Sequence, residues 1–180
     1  MKRPRPPLDS AQMEALALRY VERFATTRAK LATYLRRKLR ERGWAGEGAA
    51  SEAVSALAER FAARGYVNDA LYAEMKARDL TARGYGARRV DQALYGAGVG
   101  EGDRDGAKAI AAEGAVDAAL KFAARRRLGP FARESSDDPR VEQRALAAFQ
   151  RAGHGFSLAR AILALDPGST PDREALTDHL

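Results

Sequence analysis

The stretch Arg28-Ala-Lys-Leu-Ala-Thr-Tyr-Leu-Arg-Arg-Lys-Leu-Arg-Glu-Arg-Gly-Trp44 combines a complete amphipathic helix with most of the chain's charge imbalance. Leu31, Leu35 and Leu39 recur every four residues with Tyr34 and the stem of Lys38 beside them, while Thr33, Arg36, Arg37 and Arg40 fall on the opposite side of a 3.6-residue helix. One face suits a core and the other is cationic. Thr26 or Thr27 is placed to cap the start, and Gly43 supplies a left-handed residue that ends the helix and folds Trp44 back onto its last turn. From Arg19 to Arg42 there are nine Lys or Arg and two Glu, a local balance of +7 that equals the net charge of the whole chain.

The rest of the composition points the same way. Alanine occurs 39 times among 180 residues, whereas Val, Ile and Thr together number 15, which favours helix and leaves little from which to build a sheet. The expected class is all-α. The absence of cysteine excludes a disulfide scaffold and a cysteine-ligated zinc or iron-sulfur site, and two histidines, His154 and His179, are too few for a histidine metal cluster. No apolar run approaches the roughly 20 residues of a membrane span, and Met1-Lys-Arg-Pro-Arg-Pro-Pro7 lacks the apolar segment of a signal peptide, so a cytoplasmic protein is expected. A sequence pI near 10.0 points to a polyanion or an acidic protein as partner.

Along the chain, residues 1–8 read as a disordered basic tail. Asp9 or Ser10 then caps a helix to about Phe24, with Leu16, Tyr20 and Phe24 at four-residue spacing. The basic helix follows, and a third helix from about Ala49 to Arg64 carries Val54, Leu57, Ala58 and Phe61 as its apolar stripe. Asn68 or Asp69 caps a helix to about Arg83 with Leu71, Tyr72, Met75 and Leu80 inward, and Gly84-Tyr85-Gly86 turns the chain into a helix that contains Val90, Leu94 and Tyr95 and ends at Gly98. The glycine-interrupted segment from about Asp103 to Glu113 predicts only a short or frayed helix. Helices over Ala115 to Leu128, Pro139 to Ala152 and Ser157 to Leu165 complete the series, and residues 167–180 read as a loose C-terminal tail.

An internal period organises these helices. Leu39, Leu94 and Phe149 are each 55 residues apart, as are Gly43, Gly98 and Gly153, and Leu35, Val90 and Ala145. Three positions agreeing across three copies predict tandem three-helix repeats, 9–66, 67–113 and 114–166. Such units bury one side against their own helices and another against a neighbour, giving an elongated, curved array.

Four segments in this order resemble the RecX family of bacterial RecA regulators: Thr27-Arg-Ala-Lys-Leu31 leading into Leu35-Arg-Arg-Lys-Leu-Arg40; Arg64-Gly-Tyr-Val-Asn-Asp69 with Leu71-Tyr-Ala73; Arg83-Gly-Tyr-Gly-Ala-Arg-Arg-Val90; and Arg151 through Gly155-Phe-Ser157 to Ile162-Leu163. The resemblance spans about residues 15 to 165. His154 and Gly155 interrupt the usual run into Phe156, and the third helix of the second unit is poor, which bears on local boundaries. The resemblance implies a non-enzymatic modulator that lies in the groove of the RecA filament on single-stranded DNA; a monomer without a cofactor is expected. There it would limit filament growth, strand exchange, ATP hydrolysis and co-protease activity. The alternative is a helical DNA- or RNA-binding protein unrelated to RecA.

Candidate contacts to such a partner or to phosphates are Lys30, Arg36, Arg37 and Arg40, which equally describe a solvated helix face. Arg83, Arg88 and Arg89 form a second group. A helix's first turn disfavours unneutralised Arg, so Arg88 and Arg89 ask for an external anion unless Asp91 suffices. Lys121, Arg125, Arg126 and Arg127 are either contacts or partners of their own helix dipole. Tyr85, between two glycines, offers a ring for stacking or simply closes the turn. Gly96-Ala-Gly98-Val-Gly100 lacks the Lys-Ser or Lys-Thr ending of a P-loop, and the carboxylate pair Asp137 and Asp138 has no histidine or metal set beside it, so no catalytic residue is expected.

Overall fold

The computed structural model describes residues 6–136 and 138–180; residues 1–5 of the expected tail, and Asp137, lie outside the described residues. Ten α-helices and two short 3-10 turns occur among the described residues, with no strand. The helices are α1 (Ser10–Val21), α2 (Arg28–Arg42), α3 (Ala50–Ala63), α4 (Asp69–Ala82), α5 (Ala87–Gly96), α6 (Asp105–Glu113), α7 (Ala115–Arg126), α8 (Pro139–Arg151), α9 (Phe156–Leu163) and α10 (Arg173–Thr177). Helix starts are fixed locally. The Asp9 carboxylate accepts from the Gln12 backbone N–H at 2.8 Å, and the Thr27 hydroxyl accepts from that of Lys30 at 3.1 Å.

The chain divides into two compact units, one comprising the chain through Tyr72 together with Tyr95–Asp103, the other Ala73–Leu94 and Arg104–Leu180. In the first, α1, α2 and α3 enclose a core of Met13, Ala17, Leu31, Ala32, Leu35, Val54, Leu57, Ala58, Phe61 and Val67. The predicted stripes of α2 and α3 are therefore inward. In α1 the fully buried positions are Met13 and Ala17, with Leu16 and Tyr20 partly covered; the helix stops at Val21, which leaves Phe24 57% exposed. Arg28 gathers three carboxylates in this unit: Asp69 at 3.1 Å, Asp103 at 2.9 Å and Glu59 at 3.4 Å. Its backbone N–H also donates to the buried Asp69 carboxylate at 2.9 Å.

In the second unit α7, α8, α9 and α10 surround Val116, Ala119, Leu120, Phe122, Ala123, Phe149, Ala152, Leu158, Ala159, Ile162 and Leu176. Here α4 corrects the predicted inward set. Ala73, Ala77 and Leu80 are buried, while Leu71 and Met75 are each about half exposed, so small side chains rather than the large ones take the inward positions.

Two further expectations change. Residues 6–8 are not a loose tail: Leu8 is fully buried, its N–H donates to the Gly43 carbonyl at 3.0 Å, and Ala45 N–H donates to the Leu8 carbonyl at 2.9 Å. Nor is 167–180 loose, since Asp172 caps α10 and Leu176 inserts into the second core. The segment near 103–113 forms a 3-10 turn, Glu101–Arg104, running into α6, which at nine residues is short as expected but regular rather than frayed, with Ala107 and Ala111 buried. Equivalent positions of the 55-residue period share local structure. Gly43, Gly98 and Gly153 have φ of +86°, +70° and +93°, and Leu35, Val90 and Ala145 are buried. At Gly153 a Cβ would stand 2.4 Å from the Arg89 backbone nitrogen, so a side chain is barred by space as well as by φ.

Candidate functional site

The basic helix α2 keeps its polar face in solvent. Arg36, Arg37 and Arg40 are exposed. Arg37 lies 3.7 Å from Glu41 and 5.6 Å from the Tyr34 ring centroid, while Arg36 and Arg40 have no side-chain partner among the described residues. Glu41 is also paired with Lys38 at 2.6 Å. Lys30 is half-buried and committed locally: its ammonium donates to the Tyr72 hydroxyl and sits 4.6 Å from that ring's centroid. Lys30, Arg37 and Arg40 line an open groove together with Tyr20, Tyr34 and Tyr95. Tyr20 and Tyr34 stack at 4.3 Å with rings 13° apart, and Tyr95 is 76% exposed.

The remaining candidates lie in the second unit. Arg83 is exposed and paired with Asp79 at 2.9 Å. Lys121 donates to the Ala82 carbonyl, and Arg125 donates to the Arg83 carbonyl at 2.7 Å. These two cations satisfy carbonyls at the C-terminus of α4, a packing role that spacing within their own helix did not reveal. Tyr85 is half-buried against the core with the Arg125 guanidinium 5.8 Å from its centroid. Arg88 and Arg89 are exposed on the first turn of α5 without a side-chain partner among the described residues. Asp91 does not neutralise them; it pairs with Arg104 at 3.0 Å. Arg126 and Arg127 are exposed, and the structure brings them beside Arg144 of α8 along a groove floored by Leu128, Val141, Ala145 and Ala148. Arg144 was missed by sequence reasoning, although its four-residue spacing from Arg140 was the available signal.

His154 is buried, and its ring N–H donates to the Gly84 carbonyl at 3.2 Å. Burial pushes the imidazole below its ordinary value; the Gly84 bond opposes this and the nearby Arg125 charge adds to it. Among the described residues no group of three or more His, Cys, Asp or Glu is placed to hold a metal, and no helix is long and apolar enough to cross a membrane. The exposed candidate residues are cationic and aromatic, a chemistry suited to binding anions and flat rings.

No protein-family model matches the chain. The regulatory protein RecX of Myxococcus xanthus (strain DK1622) is 33% identical over 174 residues, which cover 92% of this chain and 91% of that protein. The chain belongs to the RecX family. Two solved RecX structures share its fold, each with a TM-score of 0.60 over 85% of this chain. One, a regulatory protein RecX, is 23% identical and matched over 72% of its length; the other, RecX from Lactobacillus salivarius, is 19% identical and matched over 93%. The four RecX-like segments read from the sequence are thus parts of a family likeness that runs through nearly the whole chain.

Proposed function

We propose that this protein is a regulator, mainly an inhibitor, of the RecA recombinase. It binds in the groove of the RecA filament on single-stranded DNA and limits filament growth, strand exchange, ATP hydrolysis and co-protease activity. Membership of the RecX family carries this reading. The exposed Arg36, Arg37 and Arg40, with Arg88 and Arg89, support it by presenting cations to an acidic protein surface or to DNA phosphates. Several linked weak contacts along one chain raise overall affinity through effective concentration. The 55-residue period supports grouping the helices as three triplets, 9–66, 67–113 and 114–166.

The test is the steady-state ATPase rate of RecA on single-stranded DNA with this protein added from substoichiometric to stoichiometric ratios. Inhibition well below one copy per RecA subunit is expected. Reversing Arg36, Arg37 and Arg40 to Glu should abolish inhibition while circular dichroism stays nearly unchanged, because all three are exposed. Full inhibition by the triple variant would remove α2 from the interface, and no effect of excess folded protein on the rate would overturn the RecA reading itself.

A further inference from the structure

The groove beside α2 is a built surface rather than a loose arrangement of side chains. The Thr27 hydroxyl donates to the Ala97 carbonyl at 2.6 Å and also receives the capping N–H of Lys30, which ties the segment after α5 to the start of α2. Gly98 lies so close to α2 that a Cβ there would stand 2.3 Å from the Ala29 Cβ. The two walls are thereby held against each other, and Tyr95 lines the same groove as the cationic face. On the opposite wall Tyr20 and Tyr34 stack on one another, Phe24 extends the row at 5.4 Å from Tyr20, and Arg37 lies over Tyr34.

Among the described residues the lining holds three cations, Lys30, Arg37 and Arg40, and no carboxylate, with Glu41 3.7 Å from Arg37. An exposed aromatic ring beside a row of cations matches one polyanion chemistry well. A single-stranded nucleic acid offers unpaired base faces for the rings and a phosphate every nucleotide for the cations. A duplex keeps its bases stacked inside, and an acidic peptide needs the cations but gains little from the large exposed ring of Tyr95.

We propose that this groove binds single-stranded nucleic acid, with an unpaired base stacked on Tyr95 and the adjoining phosphates held by Arg37 and Arg40. The proposal rests on the filament reading and deepens it: the protein would hold the strand by its bases as well as by its charge. Tyr95, whose ring is mostly in solvent, carries the base contact; Tyr20 and Tyr34 form the stacked wall against the first core.

Fluorescence anisotropy of the full chain with a labelled oligo-dT, without RecA, tests this directly. An abasic oligomer of the same length and charge, the corresponding duplex and a poly-glutamate peptide serve as competitors. Oligo-dT should bind at least about 5-fold more tightly than the abasic oligomer, the effect of one stacked base. Tyr95→Ala should remove that preference and Tyr95→Phe should retain it. Arg37→Glu and Arg40→Glu should weaken binding of both oligomers and flatten the logarithmic salt dependence by roughly 0.7 for each phosphate left without its cation. Equal binding of the abasic oligomer, unchanged affinity in Tyr95→Ala, or stronger competition by poly-glutamate than by oligo-dT would each overturn the site. The RecA ATPase assay separates the two readings. Inhibition that survives alongside equal abasic binding rejects the stacking site alone, whereas base preference without any inhibition keeps this site and rejects the regulator.

Discussion

At Gly153-His154-Gly155 one imidazole replaces the apolar residue that a helix junction would ordinarily bury. Its ring lies 5.5 Å from both Phe122 and Phe149, and it donates to the Gly84 carbonyl. The folded state lowers the histidine's proton affinity, so below its ordinary value near 6.5 the unfolded chain binds more protons than the folded one. Stability is therefore full above about pH 6.5 and falls as the pH drops through that value, with a slope approaching about 1.4 kcal/mol per pH unit. Urea midpoints at pH 7.5 and 5.5 check this: His154→Gln should lose less stability between the two than the wild type does, and equal losses would contradict it. Arg28 gives a second residue-scale expectation. Its guanidinium is held in its charged form first by the hydrogen bond to Asp69, and by the Glu59 and Asp103 charges, against a burial effect that opposes them. Arg28→Ala leaves the buried Asp69 carboxylate with only backbone partners among the described residues, and the arginine is partly solvated, so a loss of about 2 kcal/mol is expected in urea unfolding. Asp69→Asn in the same background should recover part of it.

At the scale of elements, α10 makes the sharpest point. Five residues cannot form a stable helix alone, yet Asp172 caps two of its N–H groups and Leu176 completes a core shared by α7, α8 and α9. Leu176→Ala should cost about 2–3 kcal/mol, read as a lower thermal midpoint, and a chain ending at residue 166 should be destabilised at least as much. A midpoint unchanged by either would mean that α10 does not hold the second core. The period of α2 was readable because large leucines alternate with arginines over four turns. In α4 the same reasoning chose Leu71 and Met75, whereas Ala73 and Ala77 are the fully buried positions. Alanine-rich helices are read poorly in this way, because alanine scores as a helix former and not as a core residue, although its small size is what allows close approach.

Across the whole molecule, the net charge of +7 is concentrated between Arg19 and Arg42, while the second unit spends several of its cations on internal carbonyls and carboxylates. Association with RecA-coated single strands should weaken as salt rises, and reversal of Arg36, Arg37 and Arg40 should flatten that dependence. Titration between about 50 and 200 mM salt provides the check, and identical slopes for the two proteins would exclude α2 as the charged contact.

The all-helical class, the start of α2 at Thr26 or Thr27, the stripes of α2 and α3, the 55-residue glycine spacing and the RecX likeness were all present in the order of residues. Each depends on local periodicity, capping or spacing, which a linear reading preserves. Only tertiary structure decided that Lys121 and Arg125 serve α4, that Asp91 is taken by Arg104, that Tyr85 is half-covered while Tyr95 is mostly exposed, and that Leu8 and Leu176 are buried. Those outcomes depend on which groups from distant parts of the chain compete for the same carbonyl, charge or cavity. Burial and partner choice are properties of the packed neighbourhood, and no single helix carries them in its own pattern.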